Sequence, residues 1–273
     1  MKTLAYKLIA IDLDDSLLNT DLKISDRNKK ALLKAAEKGI KVTIATGRMY
    51  KSALPYIREL NISVPVLAYQ GAYIKEPDTG RTIVRKAVPR EYVLHLIEDC
   101  RKDNLHLQIY TEDTYYFAQD NEYSRFYENQ SGVKGVEVGD LIPVADCEPI
   151  KLLIIDKPEK ISALYSRYSE AFSGKLQTVV SRPIYLEFTH IDATKGKALE
   201  QLSMMLGVDR DAVIAIGDSY NDISMIEYAG LGVAMGNSPE DVKMRADYVT
   251  ATNIEDGVAD VIEKFVLGDV IEK

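Results

Sequence analysis

The stretch IAIDLDDSLL, residues 9–18, runs from apolar side chains straight into three aspartates within four positions. Its apolar half is typical of a strand that is buried on both faces of a sheet. Side chains two positions apart on a strand point the same way, so we expect Asp12 and Asp14 to project together and Leu13 to face the other side. Two carboxylates about 4 Å apart repel by about 4 kcal/mol at an effective dielectric of roughly 20. The stretch therefore predicts protons or a cation beside these aspartates.

A second acidic stretch, IAIGDSYNDISM at residues 214–225, has the same form. Asp218 follows another strand of the buried type, and Asp222 lies four residues further on, at the start of a predicted helix. In open parallel sheets, ligands bind at the edge where the strands end, so the carboxylates of the two stretches would converge if their strands are neighbours. Neither stretch contains a histidine, and an oxygen-only ligand set favours a hard cation, Mg²⁺ before zinc.

Four further residues complete a set that suits a phosphoryl group. Thr46 ends a strand in the motif ATGR, and its hydroxyl, with the Gly47 amide, could hold one phosphate oxygen. Lys195 opens a helix in ATKGKAL and could neutralise another oxygen. Asn221 could donate a hydrogen bond to the same anion or orient a neighbouring group. Acids, a cation, a hydroxyl and a lysine together indicate a site for phosphoryl transfer.

The secondary-structure pattern divides the chain into three parts. Strands and helices alternate over residues 1–80 and again from about residue 191, at lengths that predict βαβ units and a parallel sheet. Residues 82–190 instead contain short β-rich runs, a hairpin among them, with amphipathic helices, and predict an α+β module with an antiparallel sheet. Within the first part we expect a single strand over residues 64–74. The pattern indicates one α/β domain that is split by an inserted module.

Four motifs follow one another in the order DLDDSLL, ATGR, KGKAL and GDSYND. In this order and at these spacings they resemble the haloacid dehalogenase superfamily of phosphohydrolases, and the long insertion is similar to that of the Cof-type branch. Each motif alone is weak evidence, whereas the four together span nearly the whole chain and are specific. The resemblance implies a Rossmann-like, doubly wound parallel sheet in residues 1–81 and 191–273. It implies that residues 82–190 form an inserted α+β cap, with an antiparallel sheet, that closes over the site and selects substrate.

The same resemblance implies a mechanism. Asp12 matches the nucleophile that attacks phosphorus and forms an aspartyl-phosphate. Asp14 matches the general acid that protonates the leaving alcohol and then the base that activates water. The phosphate-binding residues that it implies are Leu13, Thr46, Gly47, Lys195 and Asn221. The Mg²⁺ ligands that it implies are the Asp12 carboxylate, the Asp14 backbone carbonyl and Asp218, with Asp222 as a further ligand or a partner of the ligands.

Three positions depart from the family pattern. Asp15 stands where glycine is usual, and Ser16 stands where threonine is usual but keeps the hydroxyl. Gln70 stands where asparagine usually precedes the glycine of the stretch AYQGAYI, in a loop that often faces the cap. The last departure bears on substrate preference rather than on the chemistry. Arg48 follows the ATG turn and could contact substrate or only pair with an acid, so it receives no assigned role.

The composition limits which binding partners and which cellular compartment the chain is suited to. The 273 residues carry a net charge of −8, which argues against a general binder of nucleic acid or of anionic membranes. No apolar window approaches the roughly eighteen residues of a membrane span, and the two cysteines, Cys100 and Cys147, cannot build a disulfide framework. We expect a cytoplasmic enzyme that acts on a small phosphorylated metabolite, a sugar phosphate or a cofactor phosphate.

Other functions use similar residues. A response-regulator receiver also combines acids, a threonine and a lysine around Mg²⁺, but it has no inserted cap and no second acidic motif after a late strand. A phosphotransferase such as a sugar-phosphate mutase is compatible with the same motifs. A sugar-phosphate binder without catalysis would not require an acid at Asp14.

Overall fold

The computed structural model describes residues 6–268, so the outermost residues at both ends of the predicted core lie outside the described part. In chain order its strands are β1 (Leu8–Ile11), β2 (Lys41–Ile44), β3 (Val66–Ala68), β4 (Tyr73–Lys75), β5 (Thr82–Arg85), β6 (His106–Tyr110), β7 (Tyr115–Phe117), β8 (Val136–Glu137), β9 (Lys151–Ile155), β10 (Leu176–Arg182), β11 (Tyr185–His190), β12 (Val213–Gly217), β13 (Leu231–Ala234) and β14 (Tyr248–Val249). Its helices are α1 (Asp26–Glu37), α2 (Tyr50–Glu59), α3 (Arg90–Lys102), α4 (Glu122–Ser131), α5 (Pro158–Ala171), α6 (Lys195–Leu206), α7 (Ile223–Tyr228), α8 (Glu240–Lys243) and α9 (Gly257–Ile262).

Five parallel strands form the first sheet, in the order β14-β13-β12-β1-β2. Strand β1 lies between β2 and β12, so the two acidic stretches of the sequence end on neighbouring strands, as the prediction requires. Helix α1 crosses from β1 to β2, and it begins where the Ser25 side chain accepts a hydrogen bond from the Asn28 amide.

The apolar run of β1 serves two hydrophobic layers. Ile9 and Ile11 pack into one cluster of buried residues, whereas Leu8 and Ala10 pack into another. Alternate residues of a strand point to opposite faces, and both faces of this sheet are covered. For this reason the run is apolar at every position.

Six strands form a second sheet, in the order β10-β11-β9-β6-β7-β8, with every pair antiparallel except β7 and β8. One face of this sheet packs against α3 and α5. Leu152 and Ile154 of β9 belong to the cluster of buried residues between this face and the two helices. Leu153 and Ile155 point the other way, into the cluster that holds Ile9 and Ile11. The antiparallel sheet, called the cap below, thus faces the parallel core across a shared hydrophobic layer. The predicted fold class is confirmed.

The segment 64–74 differs from the prediction. Instead of one strand it forms β3 and β4, an antiparallel pair that is joined by a tight turn at Tyr69–Gly71. Strand β5 pairs with β4, so this small sheet continues to Arg85, past the predicted end of the first core segment at residue 81. The domain limits themselves stay predictions. Among the helices of residues 6–268, none is long and apolar enough to cross a membrane.

Candidate active site

Asp12 stands where β1 ends, at the floor of the site. Its backbone amide donates to the carbonyl of Ile216 on β12, so the neighbouring strand fixes the start of the loop. The residue is 5% exposed. Asp15 follows with a φ of 58°, in the left-handed region that favours glycine but that aspartate tolerates. The backbone therefore explains both the usual glycine at this position and why an aspartate can replace it.

Lys195, the first residue of α6, joins the two acidic stretches. Its ammonium lies 2.5 Å from Asp12 Oδ1 and 2.6 Å from Asp222 Oδ1, and the residue has no exposed surface. Burial lowers the pKa of Lys195, but the two carboxylates outweigh it and hold that pKa above the ordinary value. The lysine is thus charged and is shared by a strand-end acid and a helix-start acid.

Asp222 organises the turn that carries Asp218. Its Oδ2 accepts hydrogen bonds from the backbone amides of Asp218 and Ser219, both at 3.0 Å, while its Oδ1 accepts from Lys195. Both oxygens of Asp222 are therefore already occupied by donors. This favours a supporting role behind the ligands over direct ligation.

Carboxylate oxygens of Asp12, Asp218 and Asp222 lie within 4.8 Å of one another. Burial, opposed by Lys195, raises the pKa of Asp12 well above its usual range. Burial and the nearby Asp222 carboxylate raise the pKa of Asp218 to about 7. The group is short of positive charge even with Lys195 in place, and its donors are all oxygens. These residues therefore fit a hard divalent cation.

The side chain of Asp14 lies apart from that cluster, between two arginines. Arg48 donates from Nε to Oδ2 at 2.8 Å and from Nη2 to Oδ1 at 2.6 Å. Arg182, on β10 of the cap, donates to Oδ1 at 2.9 Å. Burial alone would raise the pKa of Asp14, but the hydrogen bonds and charges of the arginines hold it below its usual value. The carboxylates of Asp12, Asp218 and Asp222 thus come together and that of Asp14 does not, whereas the metal ligand expected from Asp14 is its backbone carbonyl.

Thr46 is 1% exposed and lies just beyond the end of β2. Its Oγ1 accepts a hydrogen bond from the Arg48 amide at 3.1 Å, which leaves the hydroxyl proton available for an acceptor such as a phosphate oxygen. The neighbouring Gly47 has the Gln70 side chain packed against it, and an added Cβ at Gly47 would overlap the Gln70 amide. A larger residue at position 47 would therefore have to displace the flexible end of the Gln70 side chain.

These groups border a cavity of about 220 Å³ between the core and the cap. The predicted residues that line it are Asp12, Asp14, Gly47, Asp218 and Asn221. The others, Leu13, Thr46, Lys195 and Asp222, are buried behind its wall. Because the Leu13 side chain has no polar atom, only the Leu13 main chain could contribute to phosphate binding.

The cap contributes residues that the sequence did not indicate. Arg182, Glu187 and Lys151 line the cavity from three strands of the antiparallel sheet. They lie outside every motif, since contacts such as that between Arg182 and Asp14 join positions far apart in the chain. Ser16 is also part of the site, because its hydroxyl donates to Asp218 Oδ1 at 2.9 Å.

The chain is similar to known proteins over nearly its whole length. A family model described as haloacid dehalogenase-like hydrolase matches residues 9–262. The putative phosphatase YxeH of Bacillus subtilis is 32% identical over 269 residues, which cover 96% of this chain and 99% of the relative. The 5-amino-6-(5-phospho-D-ribitylamino)uracil phosphatase YitU of Bacillus subtilis is 32% identical over 270 residues, with 97% and 99% covered. A solved structure of a HAD subclass IIB sugar phosphatase has a TM-score of 0.84 at 27% identity and covers 95% of this chain and 98% of its own.

Proposed function

We propose that this chain, which belongs to the haloacid dehalogenase-like hydrolases and is a phosphoric monoester hydrolase, is a Mg²⁺-dependent phosphatase of small phosphorylated metabolites. The substrate is a sugar phosphate or a phosphorylated cofactor precursor, as the names of two similar proteins suggest. The observation that carries the proposal is the position of Asp12. It lies at the floor of the cavity, held by the Lys195 ammonium and flanked by Asp218.

Asp12 acts as the nucleophile. Lys195 holds its Oδ1, which leaves Oδ2 to attack the phosphorus atom. A bond forms between Asp12 and phosphorus while the bond from phosphorus to the leaving oxygen breaks. In the second half, water attacks phosphorus, the Asp12–phosphorus bond breaks and inorganic phosphate is released.

Asp14 moves the protons of both halves. As an acid it gives a proton to the leaving oxygen, and as a base it takes one from the attacking water. In this structure both of its oxygens accept hydrogen bonds from arginine. At least one of these contacts must therefore be exchanged before Asp14 can carry a proton. Since Arg182 lies on the cap, movement of the cap is one way to exchange it.

The phosphoryl oxygens are bound by the Thr46 hydroxyl, the Gly47 and Leu13 main chain, Lys195 and Asn221. These donors come from the ends of β1 and β2, the start of α6 and the turn after β12. Donors that are fixed in advance stabilise the charge of the transition state without reorganisation.

Mg²⁺ would be held by the carboxylates of Asp12 and Asp218 and by the backbone carbonyl of Asp14, with Asp222 supporting them. When bound, it neutralises the crowded carboxylates and the charge on the phosphoryl oxygens. The all-oxygen donor set and the raised pKa of Asp218 support this assignment.

The first test is hydrolysis of p-nitrophenyl phosphate, with Mg²⁺ and after complete chelation. We expect Asp12→Asn to lower kcat at least about a thousandfold, because the nucleophile is lost. Asp21→Asn, an exposed aspartate near the same loop, is the matched control and should leave kcat unchanged. Equal activity of Asp12→Asn and the natural protein would refute the nucleophile. With sugar phosphates, free phosphate distinguishes a phosphatase from a mutase, which moves the group within the sugar.

A further inference from the structure

A buried ion pair on the cap lies against the phosphate-binding side of the core. Lys151 Nζ on β9 lies 3.2 Å from Glu187 Oε1 on β11, and the two side chains are 2% and 7% exposed. Ser181 also donates to Glu187 Oε1, at 2.9 Å. Taking two charges out of water is costly, and a buried pair is often no more stable than apolar residues of the same size. The contacts of this pair therefore require a reason other than stability.

A first chain of hydrogen bonds links Lys151 to Thr46. The Lys151 ammonium donates to the Gly47 carbonyl at 3.2 Å. That carbonyl belongs to the same peptide group as the Arg48 amide, which donates to Thr46 Oγ1 at 3.1 Å. Hydrogen bonds in such a chain polarise one another, so the lysine strengthens the Arg48 donor and thereby the Thr46 hydroxyl as a donor in turn.

A second chain of hydrogen bonds links Glu187 to Asn221. Gln70 Nε2 donates to Glu187 Oε2 at 3.2 Å, and Gln70 Oε1 accepts from Asn221 Nδ2 at 2.9 Å. The Gln70 backbone has a φ of 59°, an uncommon conformation for this residue type that aims its side chain between cap and core. Asn221 Nδ2 carries two hydrogens and donates one of them to Gln70, so the second can be donated to a phosphoryl oxygen.

We propose that Lys151 and Glu187 are positioning residues that order the phosphate-binding groups when the cap lies on the core. Lys151 acts on Thr46 through the peptide group between Gly47 and Arg48, and Glu187 acts on Asn221 through Gln70. This inference rests on the proposed function, because it presumes that Thr46 and Asn221 bind the phosphoryl group. It assigns to the cap a part in phosphate binding in addition to substrate selection.

A double-mutant cycle on kcat/KM tests the first chain, with Lys151→Met and Thr46→Val singly and combined. If Lys151 acts through the Thr46 hydroxyl, Lys151→Met lowers kcat/KM about tenfold or more in the natural background and less than about twofold when Thr46 is already valine. A merely structural lysine would lower kcat/KM by the same factor in both backgrounds, and that result overturns the proposal. Lys86→Met is the matched control, because this lysine donates to the Asp192 carbonyl and does not line the cavity, so the change should alter kcat/KM in neither background.

Lys151→Met leaves Glu187 buried without its partner, so folding of each variant is checked by thermal unfolding. If that variant does not fold, a second double-mutant cycle decides, on two uncharged residues, with Gln70→Ala and Asn221→Ala singly and combined. We expect the Gln70 change to cost at least about fivefold in kcat/KM with Asn221 present and less than about twofold without it. Equal losses in both backgrounds overturn the inference. Failure of the proposed function is distinct, since it would appear as retained activity in Asp12→Asn.

Discussion

At the scale of single residues, Lys195 is the cation around which the buried end of the site is arranged. Its ammonium is within 2.6 Å of two carboxylates from different elements, and none of the three side chains is appreciably exposed. A buried pair that loses one member leaves an uncompensated charge, which costs more than the pair itself contributes. The lysine is therefore needed for the fold of the site, in addition to the phosphate-binding role that we propose for it.

Lys195→Met should lower the free energy of unfolding by about 3–5 kcal/mol, because Asp12 and Asp222 would remain buried and unpaired. It should also lower kcat/KM at least about a hundredfold, because the variant lacks the fixed charge that we propose holds a phosphoryl oxygen. Urea denaturation and p-nitrophenyl phosphate hydrolysis measure the two effects. Lys197→Met removes only an exposed pair with Asp192 and should cost less than about 1 kcal/mol. Equal stability losses for the two variants would contradict the expected role of Lys195.

The raised pKa of Asp218 predicts that the free energy of unfolding depends on pH. Its folded pKa of about 7 lies above the value of about 3.9 of an unfolded aspartate, and that of Asp12 is raised in the same sense. Between these values the folded protein keeps a proton that the unfolded chain has lost. The metal-free protein should therefore lose stability as the pH rises from about 4 to about 7.

Added Mg²⁺ should then raise Tm more at about pH 8 than at about pH 6, because the carboxylates must be ionised to bind the ion. The measurement is thermal unfolding with and without Mg²⁺ at both pH values. Asp218→Asn should abolish most of the Mg²⁺-induced rise. An equal rise at both pH values in the natural protein would show that these carboxylates do not control binding of the ion.

Strand ends made part of the site predictable residue by residue. Asp12, Asp218 and Thr46 each follow a buried strand, and neighbouring parallel strands bring such positions to one edge. Arg182 followed no such rule, because it reaches Asp14 from the cap across a separation of 168 positions. Arg48 stands out in its motif, but its pairing with Asp14 could not be predicted. The direction of the Asp14 side chain depends on the conformation of the loop after β1.

At the scale of secondary-structure elements, the start of α6 requires a close approach to α7. The Gly196 amide donates to Ser224 Oγ at 3.0 Å, and a Cβ at Gly196 would overlap the Ser224 carbonyl. Lys195 is the residue immediately before this contact. The distance between the two helices therefore fixes where the ammonium lies.

Gly196→Ala should push the helices apart and lower stability by about 1–3 kcal/mol. It should also lower kcat/KM at least about fivefold, since a small displacement of Lys195 would weaken the contacts that we propose it makes with Asp12 and the phosphoryl group during the reaction. Gly207→Ala, at the other end of α6, is the control: its φ of 63° makes alanine costly for stability, but nothing lies within 4 Å of the added Cβ. Gly207→Ala should leave kcat/KM unchanged. If both variants change kcat/KM alike, the contact with α7 does not position the lysine.

The turn between β3 and β4 shows why one element was not predicted. Tyr69 and Gln70 both have positive φ, although neither is a residue type that usually marks such a turn. The turn is held by its surroundings: the amide of Tyr69 donates to the Arg48 carbonyl, and that of Gln70 donates to the Thr46 carbonyl. Tertiary hydrogen bonds thus outweigh local preference, and a pattern that reads only local sequence gives a single strand.

At the scale of the whole molecule, the cap and the core are joined by aromatic packing. Tyr69 of the core contacts Tyr110 of the cap edge to face, and its hydroxyl donates to the Thr111 carbonyl. Tyr73 of the core donates to Glu112 in the same cap turn. One hydrophobic cluster includes Ile9 of the core and Leu153 of the cap. The sequence indicated an insertion and its sheet type, but it held no information on how closely the two parts pack.

Because they share this cluster, the cap and the core should unfold in one transition. Exposure of the shared layer removes burial from both parts at once, which couples their stabilities. Scanning calorimetry should give equal calorimetric and van't Hoff enthalpies, and tyrosine near-UV and backbone far-UV signals should coincide. Tyr110→Ala, which deletes a fully buried ring of the shared layer, should lower Tm or separate the transitions, whereas Tyr165→Ala, on the exposed face of α5, should do neither. Two transitions in the natural protein would show that the cap folds independently and that its contacts with the phosphate-binding groups are not maintained by packing alone.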